Sequence, residues 1–410
     1  MQKLSYKTLL IILIFLLISI IVLWKFILPN QKVSASWWNE SWSYRRAISI
    51  INNTSFDAID IPYKIEIDTQ DLISNNKLQA DADDIRVINS EGKIIRYQIE
   101  KNTLNTSKTK LWIEASVKSN STSFYYIYYG NSSTPAQSFI SDINTVTSNA
   151  SSVTVEMNDG FGYTTSSTHG RVSDIRKDSN NLGTNGNYHY SGSYPGYWWD
   201  DRVFTQTILN SNGPLFVEIN YSDSNYGSYS SFGTNIKLFN NGFAETQMFM
   251  VYNTSGSEGH YYYLSFDTGT RNSVWVNGSG TLVDQDADSG SLNEASLGQN
   301  WFGQRWTATG IYGGNIITKN GSDWASGATS TRASYYQTNY SHTKSFTEGS
   351  SREVRYGVFA GNGGLSEMQQ KGANYGALGS SLNSEELSPS PIAYWKFDEG
   401  YGTTANDSGP

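Results

Sequence analysis

The sequence predicts an all-β protein, with an N-terminal signal or transmembrane helix followed by antiparallel β-sandwich domains. Three observations carry this. Charged residues make up only 16% of the 410 positions and aromatic residues 14%, with 28 tyrosines and 37 glycines. Tyr, Trp, Thr, Val and Ile fit a pleated surface, while Gly, Asn and Ser make turns. Short runs with an apolar period of two recur along the chain, and no stretch after the N-terminus sustains a helical period.

The same composition bounds the function. So many aromatics argue against disorder. A formal net charge of -8 gives no overall basic field for a phosphate backbone, so nucleic acid is not an expected partner. The absence of cysteine excludes disulfides, thiolate metal sites and thiol nucleophiles. An exported domain of this composition depends on core burial or bound ions.

Residues 1–35 are read as a targeting segment. Lys3 and Lys7 precede an apolar run from Leu9 to Trp24, interrupted only by Ser19. Pro29 ends the helix, and Val33, Ser34 and Ala35 resemble a signal-peptidase site. Two readings stand side by side: a cleaved signal peptide, or an uncleaved anchor that holds the protein to a membrane, the lysines favouring an N-inside orientation. Both place the body of the chain outside the cytoplasm, extracellular or in the cell envelope.

A first small sandwich is expected over residues 36–133. Ile61, Tyr63, Ile65 and Ile67 alternate with Pro62, Lys64, Glu66 and Asp68, which puts one face on a core and the other in water. Ile95, Tyr97 and Ile99 repeat the pattern, and residues 111–114 and 124–129 are further short strands separated by turns such as Asn89-Ser90-Glu91-Gly92. The opening W-W-N-x-x-W-x-Y-R-R at Trp37 to Arg46, the segment Asp83-Asp84-Ile85-Arg86, Leu111-Trp112-Ile113 and the closing Tyr128-Tyr129-Gly130-Asn131 together resemble domain of unknown function family 2341. The resemblance implies the setting of that family, modular surface and secreted proteins of bacteria and archaea with neighbouring sugar-binding modules. It brings no catalytic residues. Trp37, Trp42 and Tyr44 are expected to pack over a sandwich edge, with Arg45 or Arg46 stacked on a ring or paired with the acidic turn at Asp81, Asp83 and Asp84. The competing reading makes the tryptophans sugar-binding.

A large β-sandwich region, or two smaller ones, is expected over residues 144–387. Its strands alternate at Val153, Val155 and Met157; at Leu215, Val217, Ile219 and Tyr221; at Met248, Met250 and Tyr252; and at Val354, Tyr356 and Val358. The phrase Gly213-Pro214-Leu215-Phe216-Val217-Glu218-Ile219 resembles a central strand of galactose mutarotase-like sandwiches and of some polysaccharide lyases. A mechanism does not follow from a fold.

Three constellations in this region are candidates for chemistry. Around Tyr188, His189 and Tyr190, the run Tyr194, Tyr197, Trp198, Trp199, Asp200 and Arg202 combines flat rings, a carboxylate and a guanidinium, the groups that stack on sugar faces and bind sugar hydroxyls. A packed loop over the sandwich is the alternative. Asp284, Asp286 and Asp288, followed by Gly290 and Glu294, place alternating carboxylates on a turn as a calcium loop does, although both spacings miss the EF-hand pattern by one. The alternative there is a solvated acidic turn. The four histidines, His169, His189, His260 and His342, are scattered singly, and His189 beside Arg202 is the one place where a lyase base is conceivable.

Residues 388–391 read as a linker. Residues 392–410, with Tyr394, Trp395 and Phe397, resemble the first strand and turn of a laminin-G or concanavalin A-like jelly roll, too short to close its sheets. The expectation from sequence is thus an exported, modular, non-catalytic glycan-binding or adhesion protein. The alternatives are a secreted polysaccharide-active enzyme, lyase-like or hydrolase-like, and a structural envelope protein.

Overall fold

The computed structural model describes residues 37–388 apart from 179, 186–187, 192–196, 199–201, 265, 268–272, 277–281, 285–300, 307–309 and 318–337. The targeting segment and the jelly-roll-like tail therefore lie outside the described residues. Among the described residues no helix is long and apolar enough to cross a membrane.

The described chain is mostly strand, in several antiparallel sheets. Its first part comprises β1 (Tyr44–Asn52), β2 (Ala58–Ile67), α1 (Thr69–Ser74), β3 (Arg86–Asn89), β4 (Tyr97–Ile99), β5 (Thr109–Val117) and β6 (Ser121–Tyr129). One layer is the three-stranded sheet β2-β5-β4. Between it and the layer holding β1, β6 and β3 lie Ile48, Ile50, Ile61, Ile65, Ile67, Leu111, Ile113 and Ile127, all buried. The period-two reading of residues 61–67 thus holds, with Tyr63 half-buried against the same core. Helix α1 starts where the Asp68 carboxylate accepts the Asp71 N–H at 2.8 Å, an ordinary N-cap.

Of the landmark aromatics, Trp42 and Tyr44 pack as structural groups, Tyr44 stacked on Tyr129 at 5.6 Å. Trp42 is buried and donates its indole N–H to the Asp84 carbonyl at 2.7 Å, with the Arg86 guanidinium over its ring at 5.4 Å. The Asp84 carboxylate accepts the backbone N–H groups of Gln79, Gly130 and Asn131, tying the acidic turn to the end of β6. Arg45 does stack on rings, Tyr126 at 4.8 Å and Tyr128 at 5.9 Å, but its carboxylate partner is Glu386 at 2.8 Å rather than the acidic turn.

The second part adds β7 (Ile143–Ser148), β8 (Ser152–Met157), β9 (Phe161–Ser166), β10 (Arg171–Lys177), β11 (Asn180–Asn185), β12 (Tyr188–Ser191), β13 (Tyr197–Trp198), β14 (Thr205–Asn210), β15 (Phe216–Tyr226), β16 (Tyr229–Phe239) and β17 (Phe243–Tyr252). It continues with β18 (Gly256–Leu264), β19 (Phe266–Asp267), β20 (Ser273–Val276), β21 (Leu282–Asp284), β22 (Trp301–Trp306), β23 (Ile311–Ile317), β24 (Thr338–Phe346), β25 (Ser351–Asn362), α2 (Leu365–Ala377) and β26 (Leu378–Leu387). A nine-stranded sheet, β14-β15-β16-β17-β25-β23-β22-β20-β21, faces a six-stranded sheet, β19-β11-β10-β9-β8-β7. Val153, Val155, Tyr163, Val172 and Ile175 meet Val217, Ile219, Ile236, Met248, Tyr356 and Val358 in the core between them. A further sheet, β13-β12-β18-β24, carries the tyrosine-rich strands.

Two features depart from the sequence reading. Helix α2 is thirteen residues long and buries Met368 and Ala373 against Phe216, Phe239, Phe243 and Phe359. Gly372, Asn374 and Gly376 each disfavour helix by roughly 0.5–1 kcal/mol relative to Ala, so only packing holds it. Strand β26, at the end of the 144–387 region by sequence, returns to the first part and pairs antiparallel with β1, giving the order β26-β1-β6-β3.

Candidate functional site

The central strands of the nine-stranded sheet, β15, β16, β17 and β25, are covered on both faces. Along β15, β16 and β17, residues of one parity face the core just described. Residues of the other parity, Glu218, Lys237 and Glu245 in one row and Asn235, Gln247 and Arg355 in the next, face the outer side of β2-β5-β4. From that outer side Trp112 packs edge-on against Phe216 at 5.9 Å and tilted against Phe239 at 5.0 Å. The Gln98 side chain clamps the start of β15, its oxygen accepting the N–H groups of Leu215 and Phe216 at 2.9 and 3.1 Å and its nitrogen donating to the Phe216 carbonyl.

Next to this apolar contact lies a buried ionic cluster. Lys237, with no measurable exposure, reaches Glu100 at 3.3 Å and Glu218 at 3.7 Å. Burial pushes the Lys237 ammonium down, but Glu100, Glu218 and Glu245 outweigh it and raise its pKa. Burial pushes the Glu100 carboxyl up. Lys237, Lys110 and the Trp112 N–H at 2.8 Å reverse that and hold it below the usual carboxylate range.

The cluster opens outward into a groove of about 1000 Å³. One wall is the outer face of β2 and β5, with Lys64, Glu66, Lys108 and Lys110; the register places Glu66 opposite Lys110. Lys64 sits over the Trp112 ring at 5.7 Å, and Lys110 reaches Gln247 at 3.2 Å and Glu100 at 3.5 Å. The opposite wall is β25, with the Ser351, Glu353 and Arg355 side chains, while Arg352 shares the parity of the core-facing Tyr356 and Val358 and its guanidinium is largely buried. The Arg355 guanidinium donates to Glu353. Burial raises the pKa of Glu353, Lys110 and Lys64 oppose this, and Glu245 and Glu100 add to it. The end of the groove is Tyr252 stacked on Phe346, centroids 4.0 Å apart and planes 9° off parallel, beside the turn 347–350. That turn closes by the Gly349 N–H donating to the Tyr252 carbonyl at 2.8 Å, and Gly349 has φ +76°, a conformation that favours glycine.

Such a lining offers hydroxyls from Ser345, Thr347, Ser350 and Ser351, four cations and two carboxylates to a ligand laid along the groove. Sequence reasoning placed Lys64 and Glu66 on a face turned to water; Glu66 is exposed, whereas Lys64 is half-buried because the nine-stranded sheet meets that face at Trp112. The signal was Trp112, a large ring at a position of the same parity.

The residues singled out from sequence lie elsewhere. Tyr197 and Trp198 form β13, where Trp198 is in register with Tyr190, itself opposite Tyr261 of β18. His260 of β18 is in register with Ser191 on one side and His342 of β24 on the other, so strand pairing brings two scattered histidines to one row. Tyr194, Trp199 and Asp200 lie outside the described residues. Arg202 is ion-paired to Asp223 of β15, its Nε donating at 2.8 Å. Asp284 ends β21, while Asp286 and Asp288 lie outside the described residues. Among the described residues no group of three or more His, Asp or Glu side chains is arranged to hold a metal.

Residues 81–169 match the family model described as domain of unknown function DUF2341. The matched span runs from the acidic turn through β3 to the end of β9 and so crosses from the first sandwich into the six-stranded sheet, later than the 36–133 expected from the motifs. No curated protein matches the sequence. Among solved structures the chain is weakly similar to galactose mutarotase-like sandwiches. A galactose 1-epimerase from Lactobacillus acidophilus NCFM is 8% identical with a TM-score of 0.36, over 52% of this chain and 95% of that one. A galactose mutarotase-like protein from Lactobacillus casei is 8% identical with a TM-score of 0.38, over 51% of this chain and 100% of that one. A heparan sulfate lyase HepC mutant from Pedobacter heparinus is 10% identical with a TM-score of 0.31, over 63% of this chain and 43% of that one.

Proposed function

We propose that this chain is a non-catalytic glycan-binding protein, exported by its N-terminal segment and working at a cell surface or in the surrounding matrix. The observation that supports this is the open groove between β2-β5 and β25, lined by serine and threonine hydroxyls, ammonium and guanidinium groups, and carboxylates. A sugar chain presents hydroxyls that both donate and accept, and it is bound by convergent polar groups of this kind in a shaped cleft. The aromatic run Tyr194, Tyr197, Trp198, Trp199, Asp200 and Arg202 is proposed as a further sugar-contacting surface, and Asp284, Asp286 and Asp288 as ligands of a structural calcium ion.

Glu353 favours a second reading, a polysaccharide-active enzyme, because a carboxyl with a raised pKa inside a cleft suits a general acid. One experiment separates the two. The purified chain is applied to a glycan array with and without calcium, and the eluates are analysed for oligosaccharides. Retention without cleavage is the expected result, with Trp198→Ala reporting on the aromatic surface. Release of oligosaccharides that Glu353→Gln abolishes would establish the enzyme reading instead, and no retention on any glycan would refute both.

A further inference from the structure

We propose that the glycan held in this groove is polyanionic, its carboxylate or sulfate groups bound by Lys64, Lys108 and Lys110. The inference rests on the glycan-binding reading above and adds the charge class of the ligand.

The argument starts from sign. The chain carries 37 acidic and 29 basic residues, yet the charged groups turned to the groove are Lys64, Lys108, Lys110 and Arg355 against the two carboxylates Glu66 and Glu353. A local field opposite to that of the whole molecule marks a cleft built for the other sign, because low-dielectric walls focus it. The three lysines stand on one wall. Lys64 and Lys110 come from the neighbouring strands β2 and β5 and Lys108 from the residue just before β5, while Arg355 of β25 across the groove already donates to Glu353. A chain of repeating anions lying along β2 and β5 meets three ammonium groups in succession.

The inner charges serve the fold. Glu100 holds Lys237, and Arg355 donates to Glu353. The outer charges are positioned without being buried. Lys64 is only half-buried, held over the Trp112 ring, and Lys108 is exposed. The two carboxylates and the hydroxyls of Ser345, Thr347, Ser350 and Ser351 suit sugar hydroxyls. A single-stranded nucleic acid is disfavoured because it needs open ring faces for its bases, whereas Tyr252 and Phe346 stack on each other.

The test measures binding of the full chain to heparin, polygalacturonate, dextran and oligo-deoxythymidine at low and at moderate salt. Heparin or polygalacturonate should bind at least about tenfold more tightly than dextran, and should weaken about tenfold or more over that salt step, as neutralised anions release counterions. Lys64→Gln with Lys108→Gln should remove most of that difference at an unchanged melting temperature, and Lys64→Arg with Lys108→Arg should restore it. Preference for heparin alone assigns sulfate, and preference for polygalacturonate alone assigns carboxylate. Dextran bound equally well at both salt concentrations overturns the charge class and leaves glycan binding standing. Retention on none of the three glycans overturns both, and oligo-deoxythymidine bound as tightly as heparin overturns the proposal in favour of nucleic acid.

Discussion

Lys237 occupies the least forgiving position in the molecule. Its ammonium is fully buried among Glu100, Glu218 and Glu245, themselves 3%, 3% and 6% exposed, and Asn235 supplies a further acceptor at 2.5 Å. An ion cluster of this kind contributes little net stability when intact, because desolvation offsets attraction. Removing one partner is a different matter, since the others are left charged and buried. Lys237→Met is therefore expected to destabilise by roughly 3–5 kcal/mol, read as a fall in the urea midpoint. Restoring neutrality with Glu100→Gln in the same chain should recover part of the loss. A single-variant loss below about 1 kcal/mol would mean that the carboxylates relax to water.

Strand β26 shows how an element can be essential and yet illegible. Its sequence, LGSSLNSEEL, has no strong period, and its burial pattern is mostly exposed. Its worth lies in pairing. It covers the outer edge of β1, where an open row of backbone groups would otherwise face water, and its Glu385 accepts from Lys77 at 2.5 Å and from the Tyr129 hydroxyl at 2.7 Å. A chain ending at Ala377 is expected to aggregate through the exposed β1 edge and to lose the intact chain's melting temperature; a soluble, equally stable truncation would show that the edge is otherwise protected. Local pattern located the strands that bury one face, as at residues 61–67, 153–157 and 248–252, because a period of two is written in the strand itself. It could not locate β26, whose partner is more than 300 residues away in sequence, or α2, whose glycines hide a helix held by Phe243 and Tyr375, stacked at 4.1 Å. The groove was hidden for the same reason. Lys64 reads as a solvent-facing charge until β25 is placed opposite β2 and β5.

At the scale of the whole molecule, the first sandwich and the nine-stranded sheet share Trp112, Phe216, Phe239, Phe243 and Phe359 as one apolar cluster. The described chain from Ser41 onward accordingly forms one compact unit. It should melt in a single calorimetric transition. Trp112→Ala should cost about 3–5 kcal/mol and split that transition in two, because the ring is the main apolar link between the parts. An unsplit transition would mean that β26 and the Gln98 clamp suffice to couple them. The return of β26 has one more consequence. Tyr44 is in register with Leu387, and the Ser388 N–H donates to the Ser43 carbonyl at 2.8 Å, so the start of β1 and the end of β26 lie side by side. Tension applied at those two points would load the β1–β26 ladder as a zipper, one rung at a time rather than all rungs together. Under force the first event is peeling of β26. Only after that does the load reach the walls of the groove.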